Sequence, residues 1–314
     1  MAHRTVPGGF LLTPNNNMEK DNTTSGQAPL PVIKDSRVCL AMPVYGKIDV
    51  PFVQCLMAML ASSTVVQMWD FLPGDSLVNR ARNNLANRFL AGFPGQDGAG
   101  NPVTVQHDWL LFLDTDLIFR PDDVQKLYDL GVKHGPGIYA GTYPIKQLRP
   151  KVVFNNIAGC VPDAEGIVEV REAGTGFMLI HREVFTKMIE KYGDEIRFSV
   201  DTGDPSKPEV FSYDFFSVGV YFDPDLKRKR FLSEDWYFCQ RWRALGGKVL
   251  MHTKTSCNHI GVYNYPGNPQ EVMDAAEHYK KAFAILESQK QPLVVKVGPP
   301  DKFEPKPEHV AVPA

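Results

Sequence analysis

One stretch of ten residues, His107-Asp108-Trp109-Leu110-Leu111-Phe112-Leu113-Asp114-Thr115-Asp116, constrains the fold of this chain more than any other. Trp109 to Leu113 is an unbroken apolar run between polar residues, the pattern of a strand buried on both faces. Such strands belong to sheets covered by helices on each side, and in open sheets of that kind ligands collect at the carboxyl ends of the strands. This strand ends in two carboxylates one residue apart. A turn and a helix cap account for Asp114 and Asp116 without any function. The same acids also suit a divalent cation carrying a diphosphate, because magnesium and manganese take hard oxygen ligands.

The surrounding pattern supports an α/β fold. Val38 to Val44, Val65 to Leu72 and Gly137 to Thr142 read as further strands. Between them lie a helix with Pro51 in its first turn, a helix from Leu77 to Leu90 capped by Ser76, and a helix opened by Pro121 and running to about Lys133. Gly92 to Asn101 reads as a Gly-rich loop. Strands alternating with helices predict a parallel, doubly wound sheet for this part. The second half is more mixed. Val152 to Phe154, Ile167 to Val170, Phe177 to Ile180 and Lys248 to His252 read as strands; Arg182 to Tyr192, Asp235 to Leu245 and Glu271 to Gln289 read as helices. A long irregular stretch is expected from Tyr192 to Arg230. Residues 1–35, rich in Asn, Pro, Gly, Thr and Ser, read as a flexible arm, and 291–314 as a Pro-rich tail. The body, 36–290, is expected to form a single domain around a mixed, mostly parallel sheet flanked by helices.

A formal net charge of −2 gives no global basic field to hold nucleic acid or an acidic membrane surface. The five scattered cysteines include no Cys-x-x-Cys pair, which suits reduced, mostly buried thiols and a cytosolic compartment. No stretch approaches the roughly 20 apolar residues of a membrane span.

Four further stations could carry chemistry. Met42-Pro43-Val44-Tyr45-Gly46 ends a strand in an aromatic ring that could stack on a base, followed by a glycine that lets the backbone approach a ligand. Asp75 to Asn87 is dense in Arg and Asn, including Asn79, Arg80, Arg82, Asn83 and Asn84. These offer hydrogen-bond forks for a base and phosphates, or simply a solvated helix face. Gly174-Thr175-Gly176 precedes a buried strand, where small residues let a sugar-sized ligand rest on backbone or merely form a tight turn. Ser233-Glu234-Asp235-Trp236 starts a helix, where a Ser cap and first-turn acids suit the helix dipole unaided. His259, in a short polar segment after a buried strand, is a candidate metal ligand.

Taken in order and spacing, these stations resemble the GT-A type of nucleotide-sugar-dependent glycosyltransferase over about residues 36–265. The segments Pro43-Val44-Tyr45-Gly46 and Arg80-Ala81-Arg82-Asn83 resemble the family's two nucleotide-contacting segments. Asp114-Thr115-Asp116 resembles its metal-binding Asp-x-Asp, Glu234-Asp235 its acceptor contact and catalytic base, and His259 its third metal ligand. The Tyr-Pro-Ile-Lys run at 143–146 and the Ser-Glu-Asp-Trp-Tyr-Phe-Cys run at 233–239 are similar to bacterial and phage glycosyltransferases, which for a phage-encoded chain implies the host cytoplasm.

The resemblance implies a nucleotide-binding half, 36–142, and an acceptor-binding half, 143–290. It also implies a manganese or magnesium ion held by Asp114, Asp116 and His259, with Asp235 as base in an inverting transfer and Glu234 orienting the acceptor. Pro43, Tyr45, Gly46, Asp75, Arg80, Arg82, Asn83, Asp114, Thr115, Gly174, Thr175, Gly176 and Trp236 are then expected around the donor, for which UDP-sugar is the family's usual choice.

The acceptor is open: a glycan, a lipid-linked sugar or modified nucleic acid. Lys227-Arg228-Lys229-Arg230, just before the Glu-Asp pair, suits a polyanionic one or forms an ordinary solvated loop. Two other classes remain. A nucleotidyltransferase that makes nucleotide sugars uses paired acids on a similar sheet but needs a Gly-rich basic loop after the first strand, where only Gly46 and Lys47 stand. A carbohydrate-binding protein could keep the fold without catalysis.

Overall fold

The computed structural model describes residues 29–147, 151–200, 209–261 and 267–281, the last without 272, 275, 276 and 279. In chain order the elements are β1 (Val32–Val44), α1 (Val50–Ser62), β2 (Val66–Pro73), α2 (Val78–Ala91), β3 (Phe93–Gln96), β4 (Pro102–Leu113), β5 (Leu117–Ile118), α3 (Pro121–His134), β6 (Ile138–Thr142) and β7 (Phe154–Asn156). They continue with β8 (Ile167–Ala173), β9 (Phe177–His181), α4 (Arg182–Ile196), β10 (Arg197–Val200), β11 (Val210–Tyr213), β12 (Gly219–Asp223), β13 (Arg228–Leu232), α5 (Glu234–Ala244), β14 (Val249–Ser256) and β15 (Asn258–His259).

The central sheet has the order β2-β1-β4-β9-β6-β14-β8-β7, with β3 added beside β4. β2, β1 and β4 run parallel, as do β6 and β14, but β9 lies antiparallel between β4 and β6. The sheet is therefore mixed, and it runs unbroken through both halves of the body.

β4 shows why these residues form a central strand. Leu110, Leu111, Phe112 and Leu113 are fully buried. Leu110 and Phe112 face one layer, with Leu85 and Phe89 of α2, Phe185 of α4 and Phe238 of α5. Trp109, Leu111 and Leu113 face the other, with Phe52 and Met59 of α1 and Leu127 of α3. Period-two alternation thus delivers one strand to two helical layers. Packing of the second layer is close: a Cβ on Gly131 of α3 would lie 2.6 Å from the Trp109 ring.

Several expectations are corrected. β1 begins at Val32, pairing Val32 with Thr104, so residues 32–35 belong to the sheet and not to an arm. The Gly-rich loop contains β3, which forms a hairpin with an early extension of β4. Ser76 does not cap α2; its N-cap is Leu77, with no side-chain cap bond. The stretch before Arg230 holds two hairpins, β10–β11 and β12–β13, outside the main sheet. The helix expected over 271–289 is seen only in part: the described residues between 269 and 281 are helical, and the remainder, with the tail, lies outside the described residues. All five cysteines are unpaired, with Cys39, Cys239 and Cys257 buried. Among the described residues no helix is long and apolar enough to cross a membrane.

Candidate active site

The carboxyl end of β4 is tied down on both sides. The Asp114 N–H donates to Gly176 O at 2.9 Å, and the Ile260 N–H donates to Asp116 O at 2.7 Å. β5 and β15 pair so that His259 lies opposite Leu117, which brings its ring to Asp116, Nε2 to Oδ2 at 3.4 Å. His259 Nδ1 is 2.8 Å from Pro144 O. A carbonyl only accepts, so Nδ1 carries the proton and Nε2 is left facing the carboxylate. With a neutral ring, two lone-pair atoms oppose each other across that gap, and a cation beside them, Lys146 or a bound ion, relieves the repulsion. Metal-ligating histidines commonly have this arrangement, the far nitrogen committed to a backbone carbonyl. Lys146 Nζ also reaches Asp116 Oδ2. Burial alone would raise the Asp116 pKa, but His259 and Lys146 outweigh it and hold it at about 2.

Asp114 turns the other way. Its oxygens lie 3.1 and 3.3 Å from Arg82 Nη2. Arg82, buried on α2, spans from there to Glu234 on α5 through Nη1. Burial works against the guanidinium charge, but Asp114 and Glu234 outweigh it and raise its pKa. Beside Glu234, Asp235 accepts from the Ser233 hydroxyl and from the Trp236 N–H at 2.8 Å. Burial, and then the adjacent Glu234 charge, push Asp235 up to about 6.

These contacts test the expected metal. Among the described residues, Asp114, Asp116, Glu234 and Asp235 meet Arg82, Lys146 and the His259 ring, and the carboxylates in excess of the two permanent cations suit a divalent ion. Asp116 and His259 fit an ion that draws its other ligands from phosphate and water, as magnesium commonly does. Asp114 does not complete the expected three-ligand set, because Arg82 engages it as Lys146 engages Asp116; among the described residues no three His, Cys, Asp or Glu side chains are placed to hold one metal ion together.

The remaining expected residues fall at different distances from this centre. Gly174-Thr175-Gly176 lies beneath the acids. A Cβ on Gly176 would be 2.8 Å from Asp114 Oδ2 and one on Gly174 2.1 Å from Tyr143 Oη, so side chains are excluded at both. Thr175 is fully buried and its hydroxyl has no partner among the described residues, nor does the Trp236 indole N–H. Pro43 is buried inside β1, which leaves Tyr45, 75% exposed, and Gly46 as the accessible residues of that strand end. The Gly74 N–H donates to Val44 O at 2.9 Å and joins the ends of β1 and β2.

Asp75 and Arg80 form an exposed pair at 2.8 Å beyond these ends. Arg80, Asn79, Asn83 and Asn84 line a separate cleft of about 420 Å³ with Arg197, Phe198 and Asp214. Asn83 is spent on structure: it donates to Asp214 Oδ1 at 2.6 Å and accepts from the Phe216 N–H at 2.9 Å. The expected stripe of four cations is also broken, because Arg230 turns inward to Glu172 and Asp223.

Two residues at the centre had no assigned role. Lys146 lies on Asp116, and Tyr143 accepts from the Gly176 N–H at 2.9 Å through its hydroxyl. Their signal was the Tyr-Pro-Ile-Lys run directly after the all-buried β6.

No family model matches the chain, and no curated protein matches it. Among solved structures it is similar to A197 from STIV, at 19% identity and a TM-score of 0.42, over 72% of this chain and 86% of that one.

Proposed function

We propose that the chain is a metal-assisted glycosyltransferase of the GT-A type, moving a sugar from a nucleotide diphosphate to an acceptor hydroxyl with inversion. The observation that carries this reading is the pairing of Asp116 with a His259 whose far nitrogen is committed to Pro144 O. It lies on the same cluster as a carboxyl poised near neutrality.

Asp116 and His259 would hold manganese or magnesium, which when bound offsets negative charge growing on the leaving diphosphate. Lys146, beside Asp116, adds a positive charge toward the same phosphates. Tyr45 and Gly46, at the open end of β1, flank the donor base. The acceptor oxygen attacks the anomeric carbon while the bond from that carbon to the diphosphate oxygen breaks. The diphosphate leaves with the electron pair, and Asp235 takes the hydroxyl proton. Arg82 holds Glu234 and, through Asp114, keeps the acceptor side and the donor side in register. The Trp236 ring, with Arg230 5.6 Å from its centre, offers a platform for a sugar.

A thermal-shift series with nucleoside diphosphates and sugar nucleotides, with and without manganese, tests this reading. Binding to the folded state raises apparent stability with the logarithm of ligand over its dissociation constant. We expect one base, UDP first among the candidates, to give a shift that requires manganese and is lost in Asp116→Asn. No shift with any donor, at concentrations far above ordinary affinities, would rule the reading out.

A further inference from the structure

The β12–β13 hairpin stands apart from the central sheet and has two unlike faces. Tyr221 lies opposite Arg230 in its register, and both face the body. The Tyr221 ring packs edge-on against Tyr237 at 5.9 Å, and Arg230 pairs with Glu172 and Asp223. One residue further along, each strand points outward: Val220 opposite Phe231, and Phe222 opposite Lys229. Phe231 is 72% exposed, Val220 64% and Phe222 58%. Val218, just before β12, and Leu226, in the turn, are exposed as well. Lys227, with φ 50°, turns the hairpin; Lys229 follows on the outward face, and Arg228, opposite the buried Asp223, is exposed at the hairpin's end. Contiguous apolar surface rimmed by charge marks a contact site.

We propose that this hairpin docks on the surface of an anionic lipid bilayer. Val220, Phe222 and Phe231 enter the boundary between headgroups and acyl chains, and Lys227, Arg228 and Lys229 meet the lipid phosphates. The charge fits: basic residues beside an apolar face bind anionic membrane surfaces, and their long stems let the charged heads stay at the phosphates while the chain sinks deeper. A nucleic acid would satisfy the cations and could stack on Phe222 and Phe231, but the aliphatic Val218, Val220 and Leu226 exposed with them suit acyl chains better than bases. β13 leads directly into Ser233-Glu234-Asp235, so docking would set that acid pair near the headgroups, where a lipid-linked acceptor would present its hydroxyl. The docking itself stands without the proposed transfer reaction.

Co-sedimentation of the full chain with two kinds of vesicle tests the proposal, one of phosphatidylcholine alone and one also containing phosphatidylglycerol. The chain is expected to pellet with the anionic vesicles, and less so as salt is raised. Lys227→Asn combined with Arg228→Gln and Lys229→Gln removes three surface cations and is expected to weaken this binding by roughly a hundredfold. Phe222→Ser with Phe231→Ser is expected to weaken it about tenfold or more, with an unchanged circular dichroism spectrum because both rings already face water. The nucleotide thermal shift, read on the same variants, is expected to be unchanged, so failure of docking and failure of the transfer reading are separable. Absence of binding to anionic vesicles, or equal binding by all variants, overturns the proposal. A concentration-dependent dimer abolished by the phenylalanine substitutions also overturns it and makes the strip a contact between copies of the chain.

Discussion

Asp235 holds its proton more tightly than an ordinary aspartate because it is buried and because Glu234 is its neighbour. If it is the base, activity at saturating metal is expected to rise tenfold per pH unit up to about 6 and then level off. Asp235→Asn is expected to remove that limb and lower kcat by about 10²–10⁴, leaving the donor's thermal shift in place. Loss of the donor shift would instead assign Asp235 to binding. The sign for stability is opposite. A carboxyl whose folded-state pKa is raised from 3.8 to about 6 loses stability as pH climbs through that window, so the Asn variant is expected to melt no lower than the parent at pH 7.

Arg82 is the second residue on which much depends. Removing it leaves Asp114 and Glu234 facing each other without the cation between them. Arg82→Met is expected to cost about 3–5 kcal/mol in urea denaturation, the usual loss on breaking a buried pair from one side. Arg82→Lys is expected to recover only part of this, since a single ammonium cannot span two carboxylates as the guanidinium fork does. A fully stable Arg82→Met would mean that the two acids are held by other contacts.

At the scale of elements, the site depends on segments with no side chain to spare. Gly174 lies where a Cβ would also come 2.6 Å from Val153 Cγ1, besides meeting Tyr143 Oη. Gly174→Ala is expected to destabilise the fold by about 1–3 kcal/mol, the range for overpacking, as measured by chemical denaturation. It should also displace Tyr143 from the Gly176 N–H. Stability equal to that of the parent would show that the segment yields without cost. The hairpins illustrate a different point about elements. β12 and β13 alternate inward and outward, but four consecutive cations hide that alternation in the sequence. Arg230 looks like its neighbours until Glu172 and Asp223 are seen to bind it.

For the molecule as a whole, burial was the legible quantity. The apolar run of β4, the helical spacing of Leu85 and Phe89, and Pro121 at the start of α3 each report a local environment, and a local environment leaves a period of two or of 3.6 in the chain. The sequence by itself therefore determined that helices cover both faces of a sheet, and that two acids follow a strand whose last five residues are buried. Only the tertiary structure decided that β9 lies antiparallel between β4 and β6, that Arg82 and not Arg80 reaches the acids, and that Lys146 and His259 share Asp116 while Asp114 faces elsewhere. The reason is physical: strand order and the meeting of residues from 30 to 152 positions apart depend on long-range pairing, which leaves no periodic mark on the segments it joins.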